Sequence, residues 1–152
     1  VYRQAIDSMK LLNRAGAQVM QKHGIRCATD ITGFGLIGHA LKMAQASKVT
    51  IEIDSGNVPV LDEVMNLIEM GVIPGASFRN KEFAEAGCRF GKAVDYNRKM
   101  LLFDAQTSGG LLMCVPREKA GEVLDDLHRD QYPAASIIGK VREKQDIPVM
   151  IR

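Results

Sequence analysis

The sequence predicts an α/β layered sandwich, of the α+β kind, in which a mixed sheet is covered by helices. Segments with apolar residues at helical spacing alternate with short segments typical of strands. Two strand candidates follow one another at the end of the chain, which indicates that the sheet is partly antiparallel. A chain of 152 residues is also long enough for one domain with a sizeable core.

The first half of the chain is predicted to alternate helices and strands. The predicted elements are a helix over 4–22, a strand over 25–28, a helix ending near Ser47, a strand over 49–53 and a helix from Pro59 to Gly71. Gly24 is a typical stop for the first helix. Apolar and polar residues alternate across 49–53, which indicates a half-buried strand. Pro59 suits the first position of a helix.

The second half is less regular until residue 111. The predicted elements are a short helix that Asn80 caps and that runs to Ala86, a surface loop over 89–98, a strand over 111–115, a helix opened by Pro116, and strands over 136–141 and 148–151. The helix after Pro116 is well supported, because its apolar residues recur at i, i+3, i+4 and i+7.

Composition excludes several classes of protein. The net charge is +2, and Lys and Arg are spread out, which argues against a nucleic-acid-binding patch. No signal peptide or bilayer-spanning run is visible. Cys27, Cys88 and Cys114 are widely spaced, which favours a reducing, cytoplasmic location over a disulfide framework or a zinc site. Cys27 and Cys114 are predicted to be small core residues. Because the chain begins with Val1 rather than Met, we expect it to be a piece of a longer protein.

A first glycine-rich run, residues 28–39, is predicted to pass from a strand through a turn into a helix. Thr32 is a suitable N-cap, and Gly33 and Gly35 leave the backbone bare where the helix begins. Free N–H groups there favour an anion, and Asp30 would repel a phosphate unless a divalent cation lay between them. Asp30 therefore has two interpretations: a Mg²⁺–phosphate site, or a second cap in a tightly packed turn.

A second glycine-rich run, Thr-Ser-Gly-Gly at 107–110, precedes a strand rather than a helix. Its N–H groups can form an anion-binding concavity, or the run is a tight turn that lets the backbone pass close to another segment or a partner domain. Asp104 is either a second carboxylate near the site or a cap of this turn. His39 is either a packing or surface residue or a group that touches a ligand.

Two long runs resemble one family. The run at 28–39, Ala-Thr-Asp-Ile-Thr-Gly-Phe-Gly-Leu-Ile-Gly-His, and the run at 104–116, Asp-Ala-Gln-Thr-Ser-Gly-Gly-Leu-Leu-Met-Cys-Val-Pro, resemble the C-terminal half of the selenophosphate synthetases (selenide, water dikinases). Shorter matches at 9–13, 57–61 and 137–141 extend the resemblance over essentially the whole chain. These enzymes belong to the aminoimidazole ribonucleotide synthetase-like superfamily.

The resemblance implies that residues 1–152 form a single domain, the C-terminal half of a two-domain enzyme, with the layered fold that closes over the phosphates in this superfamily. The family makes selenophosphate from selenide, ATP and water, releases AMP and phosphate, and requires Mg²⁺. Its N-terminal domain forms the homodimer and supplies most of the nucleotide site. The reactive Cys or selenocysteine and the catalytic Lys also lie there, so we expect no catalytic residue in this chain and no activity of the chain alone.

The resemblance also assigns roles to five residues. Asp30 matches a Mg²⁺-binding carboxylate of the family, and Thr29, Thr32, Gly33 and Gly35 match residues that shape and support the nucleotide site. Two alternatives stay open at this point. The chain is a domain of another ATP-dependent member of the superfamily, or it is a stand-alone binding module without chemistry.

Overall fold

The computed structural model describes residues 2–152, so Val1 lies outside it. The helices are α1 Tyr2–Lys10, α2 Arg14–His23, α3 Gly35–Ser47, α4 Val64–Glu69, α5 Gly75–Ala84, α6 Tyr96–Leu102 and α7 Ala120–Arg129. The strands are β1 Cys27–Asp30, β2 Val49–Ile53, β3 Cys88–Phe90, β4 Leu111–Cys114, β5 Gly139–Glu143 and β6 Val149–Ile151. None of the helices within 2–152 combines the length and the apolarity that a bilayer crossing needs.

The strands form two sheets rather than one. In the larger sheet the order is β3-β6-β2-β5, and in the smaller sheet β1 pairs antiparallel with β4. The larger sheet is mixed, as predicted, because β5 runs antiparallel to β2 while β6 runs parallel to both β2 and β3. The last two strands were expected to pair with each other, and this was wrong. They lie on opposite sides of β2, which takes the central position between them.

Helix α3 covers one face of the larger sheet and forms the main core with it. Ile37, Ala40, Leu41 and Ala44 recur at helical spacing on α3 and are buried. They pack in one cluster with apolar residues of β2 and β6, and with Phe103 after α6. Burial of this apolar area, at about 25 cal/mol per Å², is the main stabilising contribution to the domain.

The opposite face of β2 is buried too, although its alternation predicted a half-buried strand. Glu52 is 5% exposed, and its carboxylate is hydrogen-bonded by Arg142 on β5. Arg152 Nη1 lies 2.8 Å from the other carboxylate oxygen, though not aligned for a hydrogen bond, and Lys140 Nζ lies 3.5 Å away. The Arg142 hydrogen bond, opposed by burial, holds the pKa of Glu52 below its usual range. Charge pairing therefore lets a carboxylate occupy this position.

A second, smaller apolar cluster lies where α2 and α7 meet. Val19 of α2, Ile25 and Val123 of α7 are buried together, apart from the main core. Asp126 of α7 joins the same two helices, since its carboxylate accepts hydrogen bonds from His23 Nε2 at 2.7 Å and from Lys22 Nζ at 2.6 Å. Arg129 also pairs with it. The α2–α7 contact thus combines little apolar burial with a cluster of charges.

This charge cluster makes stability depend on pH. Hydrogen bonds from Lys22 and His23 lower the pKa of Asp126 to about 2, from 3.8. Because the folded chain binds this proton less tightly than the unfolded chain, the stabilisation is complete above about pH 5 and is lost as the pH falls toward 2. We expect the thermal midpoint of Asp126→Asn to fall less steeply with acidification than that of the wild type. Asp125→Asn, an exposed neighbour on α7, is the control. Parallel profiles for wild type and Asp126→Asn would contradict this prediction.

The single helix predicted over 4–22 is in fact two helices, α1 and α2, with a break at residues 11–13. Tyr132, far along the chain, occupies the break. Its hydroxyl accepts a hydrogen bond from Gly16 N at 3.0 Å and donates one to Leu12 O at 2.6 Å. These bonds satisfy backbone groups that a broken helix leaves free. The apolar period alone continues through the break and therefore did not reveal it.

Other predicted boundaries also shift. The strand predicted over 25–28 begins two residues later, at Cys27. The helix expected from Pro59 begins at Val64, after Glu63 in the left-handed conformation, with φ of +65°. The surface loop predicted over 89–98 contains the end of β3 and the start of α6. Asp95 caps α6 by accepting a hydrogen bond from Arg98 N at 2.7 Å. The strand predicted over 136–141 is β5, at Gly139–Glu143.

Residues of both sheets line a wide apolar cleft. Its volume is about 1290 Å³, and its walls include all of β4, one side of α7 and the start of β5. Val141 of β5 is 46% exposed and Leu61, before α4, is 38% exposed. Both sheets therefore contribute apolar surface to the same open cleft.

Candidate functional site

The two glycine-rich runs lie against each other at the end of the β1–β4 pair. Ile31 N donates to Gly110 O at 2.9 Å, and Gly109 N donates to Ile31 O at 2.8 Å. Gln106 N donates to Thr32 O at 3.1 Å, which extends the contact along the loop. The close passage of the 107–110 turn past another segment is thereby confirmed. We call the loops at 30–35 and 104–110, with the residues that hold them, the paired-loop site.

Gly35 is the position where the two loops leave least room. A Cβ atom there would lie 2.7 Å from Asp104 O and 2.9 Å from the carbonyl carbon of Phe103. Its φ of +68° is also in the left-handed region that favours glycine. At Gly33, two residues earlier, an added Cβ would have no heavy atom within 4 Å, and φ is outside the left-handed region. The two glycines of the motif therefore have different structural roles.

This difference predicts the effect of adding one methyl group. We expect Gly35→Ala to lower the free energy of unfolding by at least about 2 kcal/mol, through left-handed strain and overpacking against backbone. Gly33→Ala, in the same loop, should change it by less than about 0.5 kcal/mol. Urea denaturation of both variants measures the difference. Equal effects of the two substitutions would show that the loops separate easily at Gly35.

Helix α3 begins later than the sequence indicated. Thr32 was predicted to be its N-cap, but the helix begins at Gly35, and its capping position is Phe34, which makes no side-chain capping bond. The Thr32 hydroxyl instead lies 3.2 Å from His39 Nε2, one turn into the helix. The predicted cap was wrong because a histidine on α3 competes for this hydroxyl.

His39 connects the start of α3 to the first loop. Thr32 N donates to His39 Nε2 at 3.1 Å, and Thr29 Oγ1 lies 3.5 Å from His39 Nδ1. A backbone N–H can only donate, so Nε2 is the acceptor and the neutral ring carries its proton on Nδ1. The Thr29 hydroxyl in turn donates to Asp30 O at 3.2 Å. Thr29 and Thr32 thus shape the loop through His39, and their role toward a nucleotide stays a prediction.

A third element, α5, holds the two loops together, and this role was not predicted from the sequence. Asn80 Nδ2 donates to Gly33 O at 2.8 Å and to Phe103 O at 2.9 Å, so one amide bridges both loops. Ser77, one turn earlier on α5, donates from Oγ to Asp104 Oδ1 at 2.8 Å. Asn80 was expected to cap a helix but lies inside α5, and both residues are buried.

Asp104 is held on both sides. Besides the Ser77 bond, its Oδ2 accepts a hydrogen bond from Gln106 Nε2 at 3.1 Å. The residue is half-buried, and its backbone carbonyl oxygen lies against Gly35. The structure therefore places Asp104 at the paired-loop site and fixes its carboxylate. Each oxygen still has a second lone pair free to accept another bond or a cation.

Asp30, unlike Asp104, has no side-chain hydrogen-bond partner among residues 2–152. Its side chain is exposed, and within residues 2–152 its carboxylate takes part in no hydrogen bond or ion pair; its carbonyl oxygen accepts the Thr29 bond instead. No three His, Cys, Asp or Glu side chains within 2–152 lie close enough together to hold a metal ion. Mg²⁺ binds proteins through one or two carboxylates and takes its other ligands from phosphates and water. Asp30 fits one ligand of such a set.

Comparisons with known proteins identify the family. The family described as "AIR synthase related protein, C-terminal domain" matches residues 4–152. The chain is 53% identical over 152 residues to the selenide, water dikinase of Porphyromonas gingivalis, covering 99% of this chain and 43% of that protein. It is 41% identical over 151 residues to the selenide, water dikinase of Caldanaerobacter subterraneus, covering 99% of this chain and 44% of that protein. The chain thus spans less than half the length of these curated relatives.

Solved structures with the same fold belong to a hydrogenase maturation protein. HypE from E. coli superposes with a TM-score of 0.61 at 21% identity, over 87% of this chain and 34% of that chain. HypE in complex with ATP gives a TM-score of 0.62 at 20% identity, over 92% of this chain and 36% of that chain. At this identity the likeness concerns the fold alone, and it agrees with the layered α/β architecture predicted from the sequence. The match over residues 4–152 shows that the chain belongs to the AIR synthase related protein family, as a C-terminal domain.

Proposed function

We propose that this chain is the C-terminal domain of a selenide, water dikinase, which makes selenophosphate from selenide, ATP and water and releases AMP and phosphate. The observation that carries the proposal is the paired-loop site, where Asp30, exposed and without a side-chain partner among residues 2–152, lies on a loop fixed by the second glycine-rich run. Both runs are also the segments that resemble the selenophosphate synthetases.

Identity favours this substrate class over the alternatives. The relatives named selenide, water dikinase reach 53% identity over the whole chain, whereas the HypE structures reach 20–21%. A different ATP-dependent member of the superfamily is therefore the weaker candidate. A stand-alone binding module would have no need for an exposed carboxylate at the end of β1, beside two tightly bonded loops.

The proposed role of Asp30 is to supply one oxygen ligand to Mg²⁺ on the ATP phosphates. The metal would neutralise phosphate charge while the phosphoryl groups are transferred. Gly33 leaves open space beside the first loop, Gly35 lets the two loops pack closely, and Thr29 and Thr32 set the loop through His39. Asp104 is available as a second carboxylate at the junction, oriented by Ser77.

The rest of the active site is proposed to lie outside this chain. Because the chain spans 43% of its relative's length, an N-terminal half would provide the remaining metal ligands, the reactive Cys or selenocysteine and the catalytic Lys. We also propose that the full-length protein is a cytoplasmic homodimer, assembled through that half. The isolated chain should then have no ATP turnover.

The test is a product analysis of the full-length protein that contains this chain. Under anaerobic conditions, ATP and Mg²⁺ are supplied with and without selenide, AMP and ADP are separated by chromatography, and selenophosphate is followed by ³¹P NMR. We expect AMP and selenophosphate in equal amounts, and only with selenide. Selenide-independent release of ADP would assign the chain to another member of the superfamily. No nucleotide turnover from a folded protein would favour a binding module.

A further inference from the structure

Two of the cysteines lie directly opposite each other in the smaller sheet. The β1–β4 register pairs Cys27 with Cys114, while Cys88 lies in the other sheet. Directly opposite Cα atoms of antiparallel strands are about 4.5–5.5 Å apart. Disulfides form over Cα separations of about 4.4–6.8 Å, so the backbone already holds these two residues at a bonding distance. Opposite side chains also lie on the same face of the sheet.

The two thiols interact and can be reached. Burial, with a smaller contribution from the neighbouring Cys27 thiol, raises the pKa of Cys114 to about 12. Both side chains are only half-buried, although both were predicted to be core residues. Cys114 also lines the wide cleft between the sheets, which gives small molecules a route to the pair.

We propose that Cys27 and Cys114 form a redox-active dithiol that closes to a cross-strand disulfide with a small disulfide such as glutathione disulfide. The thiolate of Cys27 attacks one sulfur of the oxidant, which forms a mixed disulfide and releases one small thiol. Cys114 loses its proton, attacks the sulfur of Cys27 and releases the second small thiol. The protein pair is oxidised by two electrons, and the oxidant is reduced to two thiols that carry the two protons.

The geometry also indicates that the bond would be easily reduced. Opposite Cβ atoms in a sheet lie about 4.5–5.5 Å apart, while disulfides prefer about 3.5–4.5 Å. Closing the bond must therefore draw β1 and β4 together locally, and a strained disulfide has a more oxidising potential. Such a pair would be mostly reduced in a reducing compartment and would close only under oxidative conditions.

Closure acts on the same pair of strands that carries the paired loops. Cys27 begins β1 and Cys114 ends β4, and the other ends of these strands, Asp30 and Leu111, lead into the loops. The chain thus places a redox-sensitive link three residues from the proposed metal ligand along β1. The proposal does not depend on the proposed function, since it concerns only these two thiols and their strands.

The experiment follows the thiols chemically in the full-length protein. The folded protein is equilibrated in glutathione buffers of increasing oxidised fraction until the composition no longer changes. Remaining thiols are alkylated, and peptides are mapped by mass spectrometry without reduction. We expect a peptide in which Cys27 is joined to Cys114 to become the main form of both residues. Cys88, whose Sγ donates to Ala84 O at 3.2 Å, should remain free or carry glutathione.

Variants and a second reagent make the outcome decisive. Cys88→Ser should leave the linked peptide unchanged, whereas Cys27→Ser should abolish it and leave Cys114 free or joined to glutathione. Phenylarsine oxide, which bridges two thiols with loss of water, should bind the reduced wild type and not Cys27→Ser. The proposal is overturned if Cys27 and Cys114 stay reduced, or carry glutathione separately, while circular dichroism shows a folded protein. Arsenical binding without disulfide formation would also overturn the redox assignment.

Discussion

Asp30→Asn in the full-length protein is expected to lower selenide-dependent AMP formation at least tenfold. This factor corresponds to about 1.4 kcal/mol of transition-state stabilisation. The substitution keeps the size and shape of the side chain but removes the charge that a Mg²⁺ ligand needs. Because Asp30 is exposed and unpaired within residues 2–152, its loss should hardly change the fold. The expected signature is therefore low activity with an unchanged thermal midpoint.

Two further measurements separate a metal ligand from a turn residue. The Mg²⁺ concentration for half-maximal activity should rise in Asp30→Asn, since one ligand of the site has become weaker. Asp125→Asn removes the same charge from the exposed side of α7 and should behave as wild type in both assays. Wild-type activity and Mg²⁺ dependence in Asp30→Asn would return this residue to its second interpretation, a cap in a packed turn.

Asn80→Ala is expected to have the second large effect, on stability and activity together. Its amide is the one group that bonds to both Gly33 O and Phe103 O. Alanine removes both bonds and leaves acceptors without partners in a region where Phe103 is fully buried, which costs about 1–3 kcal/mol for each unsatisfied group. We expect the free energy of unfolding to fall by about 2–4 kcal/mol and kcat/KM for ATP to fall at least tenfold.

Asn66→Ala is the matched control for this prediction. Asn66 is also a helical asparagine, but it bonds to Glu63 on the surface of the domain, so its replacement should cost less than about 0.5 kcal/mol. Ser77→Ala separates the two actions of α5, because it frees Asp104 and leaves the Asn80 bridge intact. Assays well below the thermal midpoint of each variant exclude unfolding as the cause. An active, destabilised Asn80→Ala protein would show that the bridge holds the fold without positioning the loops.

Much of the fold could be predicted because local patterns decide it. The apolar face of α3, the alternation of β2 and the spacing in α7 each contain their own signal. The predicted boundaries of helices were wrong where a residue far away in the sequence determines the local structure. Tyr132 satisfies the backbone at the break between α1 and α2, and no pattern within 4–22 contains that information. The predicted strand order was wrong for a similar reason. The position of β2 between β5 and β6 depends on contacts between segments that are far apart in the sequence.

The candidate site divides in the same way. The glycine-rich runs and Asp30 could be singled out because their residue types are unusual at those positions. That the 107–110 turn passes close to another segment could be stated only as one alternative, and that this segment is the first glycine-rich run could not be predicted. Asn80 and Ser77 could not be found, because a polar residue in a short helix is usually exposed. The one available signal was their i, i+3 spacing, which places them on one face of α5.

The separation of the apolar residues into two clusters also determines how the domain opens. The larger cluster stabilises β2, β6 and α3, whereas the smaller one has Val19, Ile25 and Val123 buried where α2 and α7 meet, next to the end of β4. Local unfolding should therefore begin in the smaller unit and leave the larger one closed. In hydrogen-exchange measurements, amides of β1, β4 and α7 should exchange at lower opening free energies than those of β2 and β6. The strands that lead into the paired loops then belong to the part of the molecule that opens first. The fraction of molecules with an assembled site therefore depends on a partial unfolding equilibrium.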